Sequence, residues 1–491
     1  MNHITEPSKQ VPIIHEADVV VGGAGISGIF AALAAARSGA KTVLVDRFGA
    51  LGGNMGPGIV AGGSADNANG VVGGPFGLPK ELFARVKGER DYQLGNYPDA
   101  SNRVSYVTLQ MMREAGVHLM LSTYVTDPIL DGSTVAGLFV ENKSGRQAVT
   151  AKVVIDATGD ADLVARAGGP VIRQTDPSPQ KVEDVIKEMQ ERYRGVISEE
   201  EQACLVGQLR GRGAAMGLWY MIAGVDWAKF ERYAEQVGQP SEDDLAWYRD
   251  NVADPPVIPD CYWPLVPHLR EAAKTGQFTI NKDVDGLGKV FLGRLHAADR
   301  EAGLVSGRIG GAGQFDPGNG EHISKAEACF RSYVYEMTAF LRGHVPGFEK
   351  AYLLVMAPFL GARAGRYIQG EYSVTAVDFA ERSKFDDVIY IYEMRSDGGK
   401  PLNISIDVPY RIMIPKQIDG IIATGRSSSY GRVLRSRRSC MTMGQAGGTA
   451  AALCARENTS PRQLDIKHLQ RQLLEDGFYL GDEQRIKELG L

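Results

Sequence analysis

A chain of 491 residues with a formal net charge of −5 is long enough for two domains, or one large discontinuous fold, around an ample core. Its mild acidity argues against nucleic acid held by bulk electrostatics, and no apolar run reaches membrane-spanning length. Five scattered cysteines form no CxxC pair, and the first fifteen residues lack the regions of a secretory signal, so a cytoplasmic setting is expected and a disulfide reductase or iron–sulfur protein is not.

The first element is read from DVVVGGAGISG, which starts at Asp18. Asp18, Val19, Val20 and Val21 suit a buried parallel strand, and Gly23, Gly25 and Gly28 fill the GxGxxG positions. The first glycine permits a tight turn, the second lets the backbone approach a pyrophosphate, and the third lets helix and strand pack closely. Ala24, Ile26 and Ser27 complete the turn, with amides near Ile26 and Ser27 expected to face the phosphates at the positive helix end. An alanine-rich helix follows, with Gly39 expected as its C-cap. The strand at 42–45 then delivers Asp46, 23 residues after Gly23, to the place where a carboxylate binds ribose hydroxyls, with Arg47 beside it.

Beyond Asp46 comes RFGALGGNMGPG, with the pair Gly52 and Gly53 followed by Asn54 and Met55. Residues 103–115 predict a helix with Val104, Val107 and Met111 on one face, and residues 124–130, 134–141 and 147–150 predict a three-stranded meander. Val125 at its start is a cofactor-facing candidate. The meander runs into KVVIDATGDADL, whose strand at 153–156 brings Ala157, Thr158 and Gly159 to the cofactor edge. A simple NAD domain would continue with further βα units, so the order points to FAD. Far downstream lies GIIATGRSSSYGRVLRSRRSCMTMGQAGGTAAALCA, with a buried strand at 421–424 leading to Gly425 and Arg426.

On these two blocks the chain resembles the FAD-dependent oxidoreductase family that carries ATGD in its first half and GR…R…GQAAG near its end. The likeness runs from about Ala17 to Gly477 and includes FLRGHVPGFEKA, LGARAGRYIQGEY, DVPYRIMIP and LDIKHLQRQLLEDG. The resemblance implies a glutathione-reductase-type FAD domain. It also implies that Arg363 and Tyr410 face the substrate side of the flavin, and that Arg435 matches the family's arginine by its spacing to Gly444. Two departures stand out: Gly447 occupies an alanine position, and the middle segment reads Arg363-Ala364-Gly365-Arg366-Tyr367.

The expected architecture is α/β: a discontinuous Rossmann-like FAD-binding domain with a β-meander (residues 15–165 and 401–460), an α+β substrate domain (166–400) and a helical tail (461–491). Residues around Met443 to Ala446 are expected to open a helix whose dipole, worth ~1–2 kcal/mol, favours reduced flavin, with Gly444 and Gln445 against the cofactor. Arg426, Arg432, Arg435, Arg437 and Arg438 are candidates for a phosphate or a substrate anion, although most arginines in such a cluster are solvated.

Between the blocks, Trp219, Tyr220, Trp227 and Trp247 read mainly as core. RIGGAGQFDPGNG, which starts at Arg308, reads as a loop, and Ser324 to Glu327 reads as a capping box that starts a helix. His322 is a candidate base, more simply an exposed loop histidine, and no metal-binding spacing occurs. No second, NAD-binding Rossmann motif is present. The expected activity is hydride exchange between a small organic substrate and flavin N5, with a second electron acceptor or donor and with homo-oligomerisation left open. The alternatives are a flavoprotein isomerase or hydratase without net redox and, less favoured, an RNA-modifying flavoprotein.

Overall fold

The computed structural model describes residues 4–60, 71–88, 99–173, 182–210, 216–252, 264–363, 365–395, 401–430 and 434–491. The first sheet is built on β1 (Ile13–Gly22), whose last four residues are fully buried. On one side β1 pairs in parallel with β2 (Thr42–Val45), which pairs in parallel with β3 (His118–Met120). On the other side lies β6 (Gly145–Asp156), also parallel. The antiparallel meander of β4 (Tyr124–Asp131), β5 (Thr134–Asn142) and β6 closes that edge.

β6 is long enough to serve two partners on one side. Its first half, to Thr150, pairs with β5, and its last three residues pair in parallel with β17 (Ile421–Ala423). A strand from the second sequence block is thereby built into the sheet begun by the first. The carboxyl ends of β1, β2, β6 and β17 all arrive at one edge, which is where open parallel sheets bind ligands.

Helix α1 (Ile26–Arg37) is buried along nearly its whole length because a second helix, Arg437–Glu457, lies against it. Small residues set this approach. A methyl at Gly444 would sit 2.2 Å from the Ser27 carbonyl oxygen, and one at Gly448 would sit 2.1 Å from that of Ala31. Four-residue steps on both helices thus mesh backbone to backbone. The later helix begins at Arg437, with Ser436 as N-cap accepting from Ser439 N, not near Met443 as the sequence reading expected. Two turns, opening with Arg437 and Arg438, precede Gly444, and the Ser436 hydroxyl three residues before Ser439 was the available start signal.

The glycine at position 447 has a local cause. A methyl there would sit 2.5 Å from Cγ2 of Thr424, whose Oγ1 accepts a hydrogen bond from Ser27 Oγ at 2.6 Å. Gly447→Ala is expected to destabilise by about 1–3 kcal/mol through overpacking. Adding Thr424→Ser, which deletes Cγ2 and keeps the hydroxyl, should recover most of that loss. Urea unfolding of the two singles and the double measures the coupling, and strict additivity would refute the account.

The second sheet is antiparallel and has its own core. Its order is β12 (Tyr352–Met356), β8 (Met216–Ala223), β11 (Leu304–Gly313), β10 (Gly288–Asp299) and β9 (Asn281–Asp283), with β13 (Gly361–Ala362) also pairing with β8. The Gly320–His344 helix packs on one face through Phe330, Tyr333 and Met337. Tyr220 and Trp227 are buried here, as expected of core aromatics. Two expectations fail in this region. The Arg308–Gly313 stretch is strand, not loop, because its glycines make room for aromatics: methyls at Gly307, Gly310 and Gly311 would strike Tyr220, Phe291 and Phe330. The long helix starts at Gly320, capped by the Asn319 side chain, not at Ser324. β7 (Val171–Arg173) pairs with β14 (Arg366–Ile368), and β15 (Val388–Arg395) with β16 (Pro401–Pro409), which packs into the first core.

Candidate dinucleotide site

The three motif glycines take three different positions. Gly23 adopts φ +102°, and a methyl there would lie 2.6 Å from the Ala157 carbonyl oxygen. At Gly28 a methyl would lie 1.8 Å from the Gly23 oxygen, so this residue sets the contact of α1 with its own turn. Gly25, the N-cap of α1, has nothing within 4 Å of its absent side chain. No side chain caps that terminus, so the amides of its first turn stand with the helix dipole behind them. An open approach to uncapped amides is what an anionic pyrophosphate requires, and these residues fit it.

The neighbouring residues shape the rim. Asp46 accepts from Ala24 N at 2.5 Å through one oxygen and from Phe48 N at 2.7 Å through the other. Burial raises its carboxyl, and the two amide bonds oppose that rise. Each oxygen keeps a lone pair for a ribose hydroxyl. Gly52, at φ +102°, donates to Ala24 O at 3.0 Å, and a methyl on Gly53 would lie 2.9 Å from Gly25 Cα. The glycine pair thus lets the chain graze the phosphate turn and places Asn54 next to it. Met55 turns into the core and is fully buried, and the Arg47 guanidinium lies over Phe48 at 4.8 Å. Val125 is half-buried beside Gly22, against the sheet.

The second block joins this rim through Gly425, where a methyl would be 2.6 Å from Ser27 Cβ and 3.7 Å from Cys440 Cβ. The first turn of the Arg437–Glu457 helix therefore stands next to the start of α1. Burial pushes the Cys440 thiol up to about 11 and brings Arg437 down to about 10.

A polar network locks the two blocks together. Asp156, fully buried at the end of β6, accepts from Thr158 N and Oγ1 and from Leu163 N and Val164 N, at 2.7–3.1 Å. Ser427 Oγ accepts from Gly159 N and Ala161 N. Arg426 grips Asp160 with both terminal nitrogens at 2.8 Å. Arg366 pairs with Asp162 and donates to Asp160 O. Burial raises Asp162, Asp160 adds to that rise, and Arg366 opposes it.

Several expected site residues are employed otherwise. Arg426 is committed to Asp160, so it clamps Gly159 in place; the Gly159 methyl position is 3.1 Å from its guanidinium. Gln445 Oε1 accepts from Leu78 N at 2.9 Å, which caps α2 (Gly77–Lys87), a helix whose own N-cap Phe76 has no capping side chain. Tyr410 is a core residue: it is 3% exposed and donates to Pro461 O at 3.1 Å. Burial holds its hydroxyl well above the usual tyrosine range, so a place on the substrate side is corrected to a strut. Arg438 donates to Gly74 O, Arg435 is exposed just before the helix, and Arg363 is half-buried after β13. Arg432 lies outside the described residues. His322 Nδ1 accepts from Asp316 N at 3.2 Å. Among the described residues no metal-binding cluster occurs, and no helix is long and apolar enough to cross a membrane.

The chain is 30% identical over 166 residues to a thiamine thiazole synthase of Methanococcus maripaludis, which covers 31% of this chain and 59% of that relative. The match thus takes in less than two thirds of the relative's length. Among solved structures it is similar to a geranylgeranyl bacteriochlorophyll reductase-like protein of Thermoplasma acidophilum, with a TM-score of 0.40, 14% identity and coverage of 94% of this chain and 84% of that one. It is also similar to a 3-ketosteroid-Δ4-(5α)-dehydrogenase of Rhodococcus jostii, with a TM-score of 0.33, 14% identity and coverage of 90% and 97%. The FAD dependent oxidoreductase family matches residues 18–473, spanning both blocks and everything between them, and the chain belongs to that family.

Proposed function

We propose that this FAD-dependent oxidoreductase exchanges a hydride between a small organic substrate and bound FAD, and that a separate electron acceptor or donor completes the cycle. The observation that carries this reading is the open, uncapped start of α1 at Gly25, flanked by Gly53 and by Gly425 of the distant second block. FAD supplies two-electron chemistry there when bound. The chain's own residues then have separable tasks. Amides at Ile26 and Ser27 hold the pyrophosphate, Asp46 holds the ribose, and the first turn of the Arg437–Glu457 helix places positive dipole near the flavin ring. In this reading residues 15–165 with 401–460 hold the cofactor, and residues 166–400 cover it, exclude water and orient the substrate.

Purified protein is expected to be yellow, with FAD released on denaturation. Anaerobic addition of the right substrate should bleach the flavin band, and addition of an acceptor should restore it. Turnover with no bleaching and no acceptor requirement would replace this reading with flavin-dependent isomerisation.

A further inference from the structure

The second sheet has one face on its own core, through Leu218, Tyr220 and Ile309. Strand alternation and register put Gly217, Trp219 and Arg308 on the opposite face. Along that face a lateral row of direct register partners runs Phe291, Gly310, Gly217, Gly361 across four strands. Its far end meets the dinucleotide rim, since the methyl position of Gly361 is 3.7 Å from Asn54 Oδ1. Asn54 directly follows Gly53, which touches Gly25. The face thus abuts the residues assigned to the cofactor, and Ile59 continues the contact by packing on the second core.

Arg308 does not stand upright on its own strand. Its Cδ and Nε lie 3.5 and 3.4 Å from the methyl position of Gly217, on the neighbouring strand. A methyl at 217 would lie 2.9 Å from Ile309 O and only in ordinary contact with the arginine, which leans across β8, the strand that separates it from Gly361 and Asn54. Trp219, the direct cross-strand partner of Arg308, is half-buried beside it. A half-buried arginine on this face, paired across the strand with Trp219 and leaning towards Gly217, is suited to a planar anion, through parallel N–H···O bonds.

We propose that Arg308 binds the carboxylate of the substrate, so that the enzyme acts on an organic acid. This rests on the proposed function and adds a substrate class and a specificity-determining residue to it. The charged end meets the arginine where it leans over Gly217, and the remainder of the acid extends over Gly361 towards Asn54.

Sodium benzoate is the probe, with benzamide as its neutral counterpart and phenyl phosphate as a different anion. Binding to the holoprotein is read from the flavin difference spectrum and, independently of flavin, from broadening of the probe's proton resonances. Benzoate should bind in preference to both other compounds. Arg308→Gln should weaken it on the order of 30-fold, the loss of a charge-assisted bond, with FAD content and thermal midpoint unchanged. Arg308→Lys should recover part of the loss. Gly361→Val, at a position with no neighbour closer than 3.6 Å, should fold and also block benzoate.

Equal binding of benzoate and benzamide, tighter binding of phenyl phosphate, no broadening at all, or an Arg308→Gln variant of unchanged affinity would each overturn the assignment. A yellow protein indifferent to benzoate sinks this inference and spares the flavin reading. A colourless protein that still binds benzoate through Arg308 does the reverse.

Discussion

Gly25→Ala is expected to give a folded protein that has lost most of its affinity for FAD. The absent side chain meets nothing within 4 Å, and the residue has an extended backbone at φ −71° and ψ −172° that alanine adopts freely. The cost to the fold is therefore that of a poorer N-cap, about 0.5–1 kcal/mol. The cost to the cofactor is larger, because the methyl stands where a phosphate must approach the uncapped amides. Losing one or two charge-assisted bonds of about 1.5–3 kcal/mol each weakens binding by roughly 10-fold to 10⁴-fold. Gly25→Val should abolish it.

Gly28→Ala supplies the contrast. Its methyl would lie 1.8 Å from Gly23 O and 3.0 Å from Ala157 Cβ, so this variant should lose thermal stability whether or not FAD is present. Flavin content, FAD titration of the apoprotein and melting without cofactor separate the two. If Gly25→Ala keeps full flavin content, the open terminus is not the phosphate site.

The second large effect is expected at Asp156, where no ligand is involved. Burial raises this carboxyl, the Thr158 hydroxyl opposes the rise, and Asp162 adds to it. Deleting it in Asp156→Ala leaves Thr158 N, Leu163 N and Val164 N without their acceptor at the end of a fully buried strand. At about 1–3 kcal/mol per stranded donor, partly relieved by relaxation, the loss should reach about 3–5 kcal/mol, on the order of 3–5 °C in Tm for a chain of this length. Arg426→Ala should cost less. Its ion pair with Asp160 is about one-fifth exposed, with side-chain accessibilities of 22% and 17%, and water compensates part of the loss. Denaturant unfolding of the apoproteins ranks the two, and an Asp156→Ala protein within 1 kcal/mol of the parent would dismiss the network as the clasp between the blocks.

Much of the first sheet was readable without coordinates. Glycine spacing, an acid at the end of the second strand and a meander that leads into ATGD are local patterns, and the physics behind each acts over a few residues. The same patterns foresaw a buried strand at 421–424, and it joins the first sheet beside β6. They misplaced the start of the later helix, because a run such as MTMGQAGG looks like a glycine turn. That the small residues pack as a helix was readable, but that Gly444 and Gly448 pack on Ser27 and Ala31 of α1 was not. The glycines of β11 misled in the same way, since the aromatics that need the room lie on other strands.

What the chain determined by itself is therefore the glycine turn at the start of α1, the acid at the end of β2 and the family they indicate. The tertiary structure decided which polar side chains are available. It gave Gln445 to a helix start 367 residues away, Arg426 to Asp160 across 266 residues and Tyr410 to the Pro461 carbonyl. It also laid Arg308 over Gly217 on the neighbouring strand. Backbone conformation follows from near neighbours in sequence, whereas a buried donor or acceptor takes whatever partner the completed fold brings within about 3 Å.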